Sequence, residues 1–210
     1  PYSDEWWIDR IAKMTSSKIF NICGEKGIGD LGLTYIRSKV HEKLTGKPTE
    51  KNFDTEETIF GVTNEPASIK NYSIKYDAPI IVVNKHIIYD DLYTATPDFL
   101  VIKRDFGDNY DCETGETKSY MVNHLQMCEC DTPEDIKKVN KQLYWQVISQ
   151  MMFADVIVGN ATFYNPEFTG KALQHRVVFK KINLMNDFKL LKNRMEEARI
   201  IYNNLYNKWK

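Results

Sequence analysis

The chain has 210 residues, 42% of them hydrophobic and 27% charged, with a formal net charge of −1. That suits one or two soluble globular domains with a sizeable core and gives no global attraction to nucleic acid. No apolar run approaches the roughly 20 residues of a membrane span, and neither a basic nor an apolar leader opens the sequence, so no membrane contact and an intracellular protein are expected.

Cys23, Cys112, Cys128 and Cys130 follow no zinc spacing and no disulfide framework and are read as reduced thiols. With no cysteine after Cys130, an iron–sulfur cluster near the C-terminus is not expected. From Lys171 to Lys210 basic residues outnumber acidic ones, which fits either a phosphate-facing surface or a solvated helix face.

In chain order, Ser3 or Asp4 is a candidate cap for a short helix carrying Trp6, Trp7 and Arg10. Thr15-Ser16-Ser17 is a candidate cap for a second helix through Ile19, Phe20 and Ile22. A helix start of this kind also presents free N–H groups to a phosphate, with Arg10 close by in sequence. Gly24 to Gly32 reads as a loop. Its Gly27-Ile28-Gly29-Asp30-Leu31-Gly32 matches a dinucleotide fingerprint in form only, because no strand precedes it.

Leu33, Ile36, Val40 and Leu44 predict a helix ended by Gly46 and Pro48. A second helix is predicted from Thr55 to about Tyr72, with Ile59, Phe60, Val62 and Ile69 inward, Glu65 within it and a kink or break at Pro66. Strands are predicted at 80–83, 86–89 and 94–102, with Asn84-Lys85 as a turn. Pro97 marks a bulge or strand end that aims Asp98 out of the sheet.

Asp105 to Lys118 reads as a polar loop and Tyr120 to Cys130 as the next strand. A helix from Lys137 to Phe153, strands at 156–164 and 177–182, and a C-terminal helix from Asp187 to Asn207 with Leu190, Leu191, Met195, Ile200, Ile201 and Leu205 largely buried complete an α/β order around a central mixed sheet flanked by helices, in a single domain over residues 1–210.

In the predicted strand 120–130, a period of two puts Leu125, Met127, Glu129 and Asp131 on one face. If Asp98 lies on the neighbouring strand, its carboxylate and that of Glu129 meet and form a site for a hard divalent cation, which can activate water at a phosphate. Gln146 and Gln150, four apart on one helix face, are not accounted for by packing.

Taken in order, Thr15-Ser16-Ser17, Gly61-x-x-x-Glu65, Thr96-Pro97-Asp98, Glu129-x-Asp131-x-Pro133 and Tyr144-Trp145-Gln146-Val147-x-x-Gln150-Met151 resemble the phage lambda exonuclease family of the PD-(D/E)xK nuclease superfamily. The resemblance runs from about Trp6 to Leu205. It implies a restriction-endonuclease-like α/β core and a 5′→3′ exonuclease on linear double-stranded DNA. It also implies Mg²⁺ or Mn²⁺, a homotrimeric ring threaded by DNA ends, a phage single-strand annealing protein as partner, and action in the cytoplasm of a bacterial host.

By position it implies Asp98, Glu129 and Glu65 as metal ligands, Gln146 beside the active site, and Arg10, Ser17 and Thr15 as the receptor of the 5′-phosphate. Where the family has lysine two residues after the glutamate, this chain has Asp131, which adds negative charge to the site. Three readings stay open: a nuclease with a replacement such as Lys137, Lys138 or Lys141, a chain disabled by substitution, or a non-hydrolytic DNA-end binder. A related endonuclease is a further alternative. Glu116-Thr117-Lys118 is a literal Glu-x-Lys, but in polar sequence read as loop it is set aside in favour of Glu129.

Overall fold

A computed structural model describes residues 10–49, 55–103 and 111–210. In chain order its regular elements are β1 (Met14–Thr15), α1 (Asp30–Thr45), α2 (Glu56–Lys75), β2 (Ile80–Val83), β3 (Ile87–Ile88), β4 (Tyr93–Ala95), β5 (Phe99–Lys103), β6 (Asp111–Lys118), α3 (His124–Cys128), α4 (Pro133–Val139), α5 (Lys141–Phe153), β7 (Val158–Tyr164), β8 (Gln174–Lys180) and α6 (Met185–Trp209). The predicted cap at Ser3 or Asp4 and the tryptophans Trp6 and Trp7 lie outside the described residues.

The larger sheet has the order β2-β5-β6-β7-β8, and the smaller one β1-β4-β3. Only β6 and β7 run parallel in the larger sheet, joined by an excursion through α3, α4 and α5. That makes the sheet mixed, and β6 sits at its centre. Helix α5 covers one face with the main core, which includes Tyr144, Trp145, Val147, Ile148, Phe163 and Phe179. Helix α2 covers the other, where Ile69 and Tyr72 pack on Phe99 and Val101.

Strand β6 reads Asp-Cys-Glu-Thr-Gly-Glu-Thr-Lys, and it corrects the polar loop expected there. It stays in a sheet interior because its side chains are matched from both layers. Thr117 bonds the Ser68 hydroxyl of α2, Glu113 accepts from Asn160 at 3.0 Å, and Glu116 faces α5. At its middle, a Cβ on Gly115 would stand 2.1 Å from ring carbons of Phe99, its register partner on β5, so only glycine fits. Gly159 on β7 likewise lets α5 come close, since a Cβ there would meet Met151 at 2.7 Å.

The strand expected at 120–130 is instead a bend and the short helix α3, with His124 and Met127 buried. Thr132 then starts α4 through a capping box with Asp135 and Pro133 in the first turn. Asn140 breaks the single helix expected from Lys137 and caps α5 by accepting from Leu143 N–H at 2.9 Å.

Helix α1 begins at Asp30 and ends at Gly46, whose φ of 65° is the left-handed cap that glycine favours. Helix α2 runs unbroken past Pro66, and Ile59 and Val62, expected inward, are exposed. In α6, Leu191 and Met195 are buried as expected while Ile200 is exposed. The segment after Thr15 is a 3₁₀ turn, Ser16–Asn21, that Thr15 does not cap with its side chain. The stretch 94–102 divides at Thr96 to Asp98: β4 belongs to the smaller sheet and β5 to the larger.

Candidate functional site

The division at Pro97 sets Asp98 at the head of β5, where the two sheets meet. Its Oδ2 accepts the backbone N–H of Thr117 on β6 at 2.7 Å, so the carboxylate lies against the end of the central strand. In β6, Glu116 and Lys118 are two residues apart and share the face turned to α5. Lys118 Nζ stands 2.5 Å from Glu116 Oε1. Gln146 and Gln150, one helical turn apart on α5, donate to Glu116 Oε1 at 2.5 Å and Oε2 at 2.6 Å. The two glutamines thus hold the carboxylate rather than the core.

Asp98, Thr117, Lys118, Gln146 and Glu65 line one cleft of about 440 Å³ with Tyr120, Asn84, Thr96, Arg10, Ser16 and Ser17. Glu65, from α2, accepts from Asn84 at 3.3 Å. Arg10 and the 3₁₀ turn arrive through parallel pairing of β1 with β4, which brings Arg10 Nη1 to Thr96 Oγ1 at 3.3 Å. The buried Thr15 hydroxyl shares a hydrogen bond with Ser17 at 3.2 Å. Glu42 fixes this arm from α1: its Oε2 accepts from Ala12 N–H at 2.8 Å and its other oxygen from Thr49 at 2.7 Å.

Glu129 and Asp131 are not part of this cleft. Glu129 is the exposed C-cap of α3, and the Asp131 side chain is 86% exposed, 4.0 Å from His175. The carboxylate whose charge acts on Asp98 is therefore Glu116, and the residue two positions on is Lys118, not Asp131. Lys118 lines the cleft, and Asp131 does not. Glu116-Thr117-Lys118 was visible as a motif. What hid it was the absence of apolar alternation in β6, and the evidence for it was the glutamine pair, for which Glu116 is the anion.

Electrostatically the cleft is a crowd of carboxylates with one ammonium. Burial, then the charges of Glu116 and Glu65, push the Asp98 carboxyl well above the usual carboxylate range, against Lys118 and the Thr117 N–H. Burial likewise raises Glu65, with Glu116 adding to it and Asn84 opposing. Burial works against charge on Lys118, but Glu116 and Asp98 outweigh it and hold the ammonium above its usual range. Lys118 is a cation throughout physiological pH.

Among the described residues no three His, Cys, Asp or Glu side chains converge as a ready metal cage. A Mg²⁺ site needs less, since that ion commonly takes one or two carboxylates and completes its shell with water and substrate phosphate. Asp98 and Glu116 offer hard oxygen donors of this kind. Three donors occupy Glu116, which has about four lone-pair positions, so one remains for a cation. The residues fit the ion.

In three dimensions the chain is similar to an alkaline exonuclease, LHK-Exo, from Laribacter hongkongensis: 19% identity, 98% of this chain and 97% of that one covered, TM-score 0.72. LHK-Exo in complex with dAMP aligns at 17% identity over the same shares, with a TM-score of 0.71. A phage related exonuclease from Haemophilus somnus 129PT aligns at 15% identity over 94% of this chain and 96% of that one, TM-score 0.71. At such identities the likeness establishes the fold, the PD-(D/E)xK-like α/β architecture of these nucleases. No curated protein sequence matches the chain. Residues 5–157 match the YqaJ-like viral recombinase domain, and with the nuclease fold spanning nearly the whole length, the chain belongs to that family, the group of the phage lambda exonuclease.

Proposed function

We propose that this protein is a metal-dependent exonuclease that degrades linear double-stranded DNA in the 5′→3′ direction during phage-type recombination. The observation that carries this reading is one cleft lined by Asp98, Lys118, Arg10 and Ser17, with buried Glu116 paired to Lys118 and acting by its charge on Asp98.

Asp98 and Glu116 would hold Mg²⁺ or Mn²⁺, with Glu65 on the cleft wall as a further carboxylate. Bound there, the ion supplies an activated water and offsets charge on the scissile phosphate. Lys118, always cationic, orients that water and balances negative charge as it grows on the phosphoryl oxygens. Gln146 and Gln150 fix Glu116 against Lys118, which spares reorganisation at the moment of reaction.

Arg10 and Ser17 receive the terminal 5′-phosphate through charge-assisted bonds, with Thr15 orienting the Ser17 hydroxyl. This contact sets polarity, because only an end can place a phosphate there. The family resemblance further supports a homotrimeric ring around DNA, a single-strand annealing partner and a bacterial cytoplasmic setting. Among the described residues no helix is long and apolar enough to cross a membrane.

The test follows nucleotide release from 5′-phosphorylated linear duplex with Mg²⁺ or Mn²⁺, beside a closed circle. The wild type should digest only the linear form. Glu116→Gln and Lys118→Met should each lower the rate by about 10² or more, and Asp131→Lys should leave it unchanged. A wild type that digests nothing, or that gains activity only with Asp131→Lys, would sink the assignment.

A further inference from the structure

Tyr120 stands two residues beyond Lys118 and lines the same cleft, half-buried. Its ring packs on Phe163 at 6.4 Å between centroids, and Phe163 is the register partner of Lys118 on β7. The phenol is therefore on the Lys118 side of the sheet. Asn165 holds the backbone here by donating to the Tyr120 carbonyl at 2.9 Å.

The direction of the phenol proton follows from Asn140, the cap of α5. Asn140 Oδ1 accepts from Leu143 N–H at 2.9 Å, which leaves its Nδ2, a donor only, for the other side. Nδ2 stands 3.0 Å from the Tyr120 hydroxyl. The phenol oxygen accepts that bond, so its own proton points elsewhere. Among the described residues none accepts it. Burial raises the phenol above its usual range, against Lys118 and Asn140, and the proton stays on the oxygen. The cleft thus holds a fixed neutral donor beside the Lys118 ammonium.

We propose that Tyr120 is a substrate-contacting residue: its phenol donates a hydrogen bond to a non-bridging oxygen of the phosphate that Lys118 serves, the first internucleotide phosphate of the digested strand. The inference rests on the reading of the cleft as a nuclease site. A phosphate oxygen accepts and carries charge, which makes it a strong partner for such a donor. Asn140 is then a positioning residue, capping α5 with one end of its amide and aiming the phenol with the other.

The experiment measures binding, in Ca²⁺ and at fixed salt, of two 5′-phosphorylated duplexes. In the second, the first internucleotide phosphate is a methylphosphonate, with a methyl group in place of one non-bridging oxygen, and its two stereoisomers are tested apart. Wild type, Tyr120→Phe, Lys118→Met, Asn140→Asp and the double variant of Tyr120→Phe with Asn140→Asp are compared. Tyr120→Phe keeps the ring on Phe163. It should weaken the natural duplex about tenfold, the lower range for one hydrogen bond to a charged group, and should not weaken the isomer that lacks the accepting oxygen. Asn140→Asp still caps α5 but offers the phenol an acceptor, which turns the proton away from the cleft. Its cost on the natural duplex should match that of Tyr120→Phe and should shrink where the phenol is already gone.

Equal weakening of the natural duplex and both isomers by Tyr120→Phe would mean that the hydroxyl is merely structural, and would overturn the proposal. So would natural-duplex binding untouched by Tyr120→Phe but weakened by Lys118→Met, an outcome that leaves the nuclease site standing. An Asn140→Asp loss of the same size with and without the phenol would be plain charge repulsion and would overturn the assigned proton direction. Binding that responds neither to the methylphosphonate nor to Lys118→Met would take the phosphate out of the cleft, and the nuclease reading would fall with Tyr120.

Discussion

Replacing Asp98 by asparagine should stabilise the metal-free protein at neutral pH while abolishing nuclease activity. The amide oxygen can still accept the Thr117 N–H that Asp98 Oδ2 accepts at 2.7 Å, so the backbone contact survives. What disappears is a charge that burial, Glu116 and Glu65 together disfavour. The folded-state pKa of Asp98 lies above its unfolded value, so the stability contributed by its proton is complete below the unfolded value near pH 4. It is lost as pH rises through the raised folded value. In chelator, wild type should therefore lose stability as pH rises above the unfolded value, and Asp98→Asn should lack that part of the slope.

Removing one like charge from the cluster is worth on the order of 1–3 kcal/mol where Asp98 is charged. For a chain of this length that corresponds to roughly 2–12 °C in Tm. Urea unfolding followed by tryptophan fluorescence, at pH 5 and pH 8 in EDTA, reads the difference. On the proposed metal site, millimolar Mg²⁺ should narrow it by stabilising the folded wild type and not the variant. A variant no more stable than wild type at pH 8 in EDTA, or one with the same pH slope, would refute the picture of crowded carboxylates.

Gly115→Ala should lower stability by about 1–3 kcal/mol, since Phe99, wholly buried, is held against Tyr72 at 4.7 Å between centroids and has little room to yield. The urea midpoint checks it, and a midpoint within error of wild type refutes it. Thr132→Ala removes the cap of α4 and should cost about 1 kcal/mol with full nuclease activity, because that helix start lies outside the cleft. Gln150→Leu removes one bond to Glu116 but also a buried Oε1 that has no partner. Stability should then change by less than about 1 kcal/mol while kcat falls and KM holds. A fall in KM affinity with kcat intact would place Gln150 in substrate binding instead.

Much of the cleft was legible from local chemistry. Pro97 ends a strand wherever a ladder bond is required, which gave Asp98. Paired glutamines on one helix face were what packing did not explain, and the family resemblance placed Gln146 beside the site. A hydroxyl cluster with a nearby arginine gave Arg10 and Ser17. Strand β6 was illegible by periodicity because its partners, Ser68, Gln146, Gln150 and Asn160, are far off in sequence, and alternation only reports burial against apolar neighbours. The same rule misled at Leu125 to Asp131, where alternating residues form a short helix and Thr132-Pro133-x-Asp135 is a helix cap rather than the tail of a nuclease motif. Exposed Ile59 and Val62 failed for a related reason: their helix passes beside the cleft, and Val62 lines it.

A polar strand at the centre of the sheet also bears on the order in which the protein folds. Asp111 to Lys118 carries too little apolar surface to be drawn in by collapse, and its parallel partner β7 arrives only after the whole excursion through α5. Pairing across such a separation is slow, because loop closure is opposed by entropy before any contact rewards it. On this argument α5, with the larger core, should assemble first and β6 should join late. Thr114 and Gly115 should accordingly show φ-values near zero while Trp145 and Ile148 show high ones. The cleft residues of β6 would be among the last to be ordered, and in a nascent chain the cleft would stay incomplete until the final strands had closed.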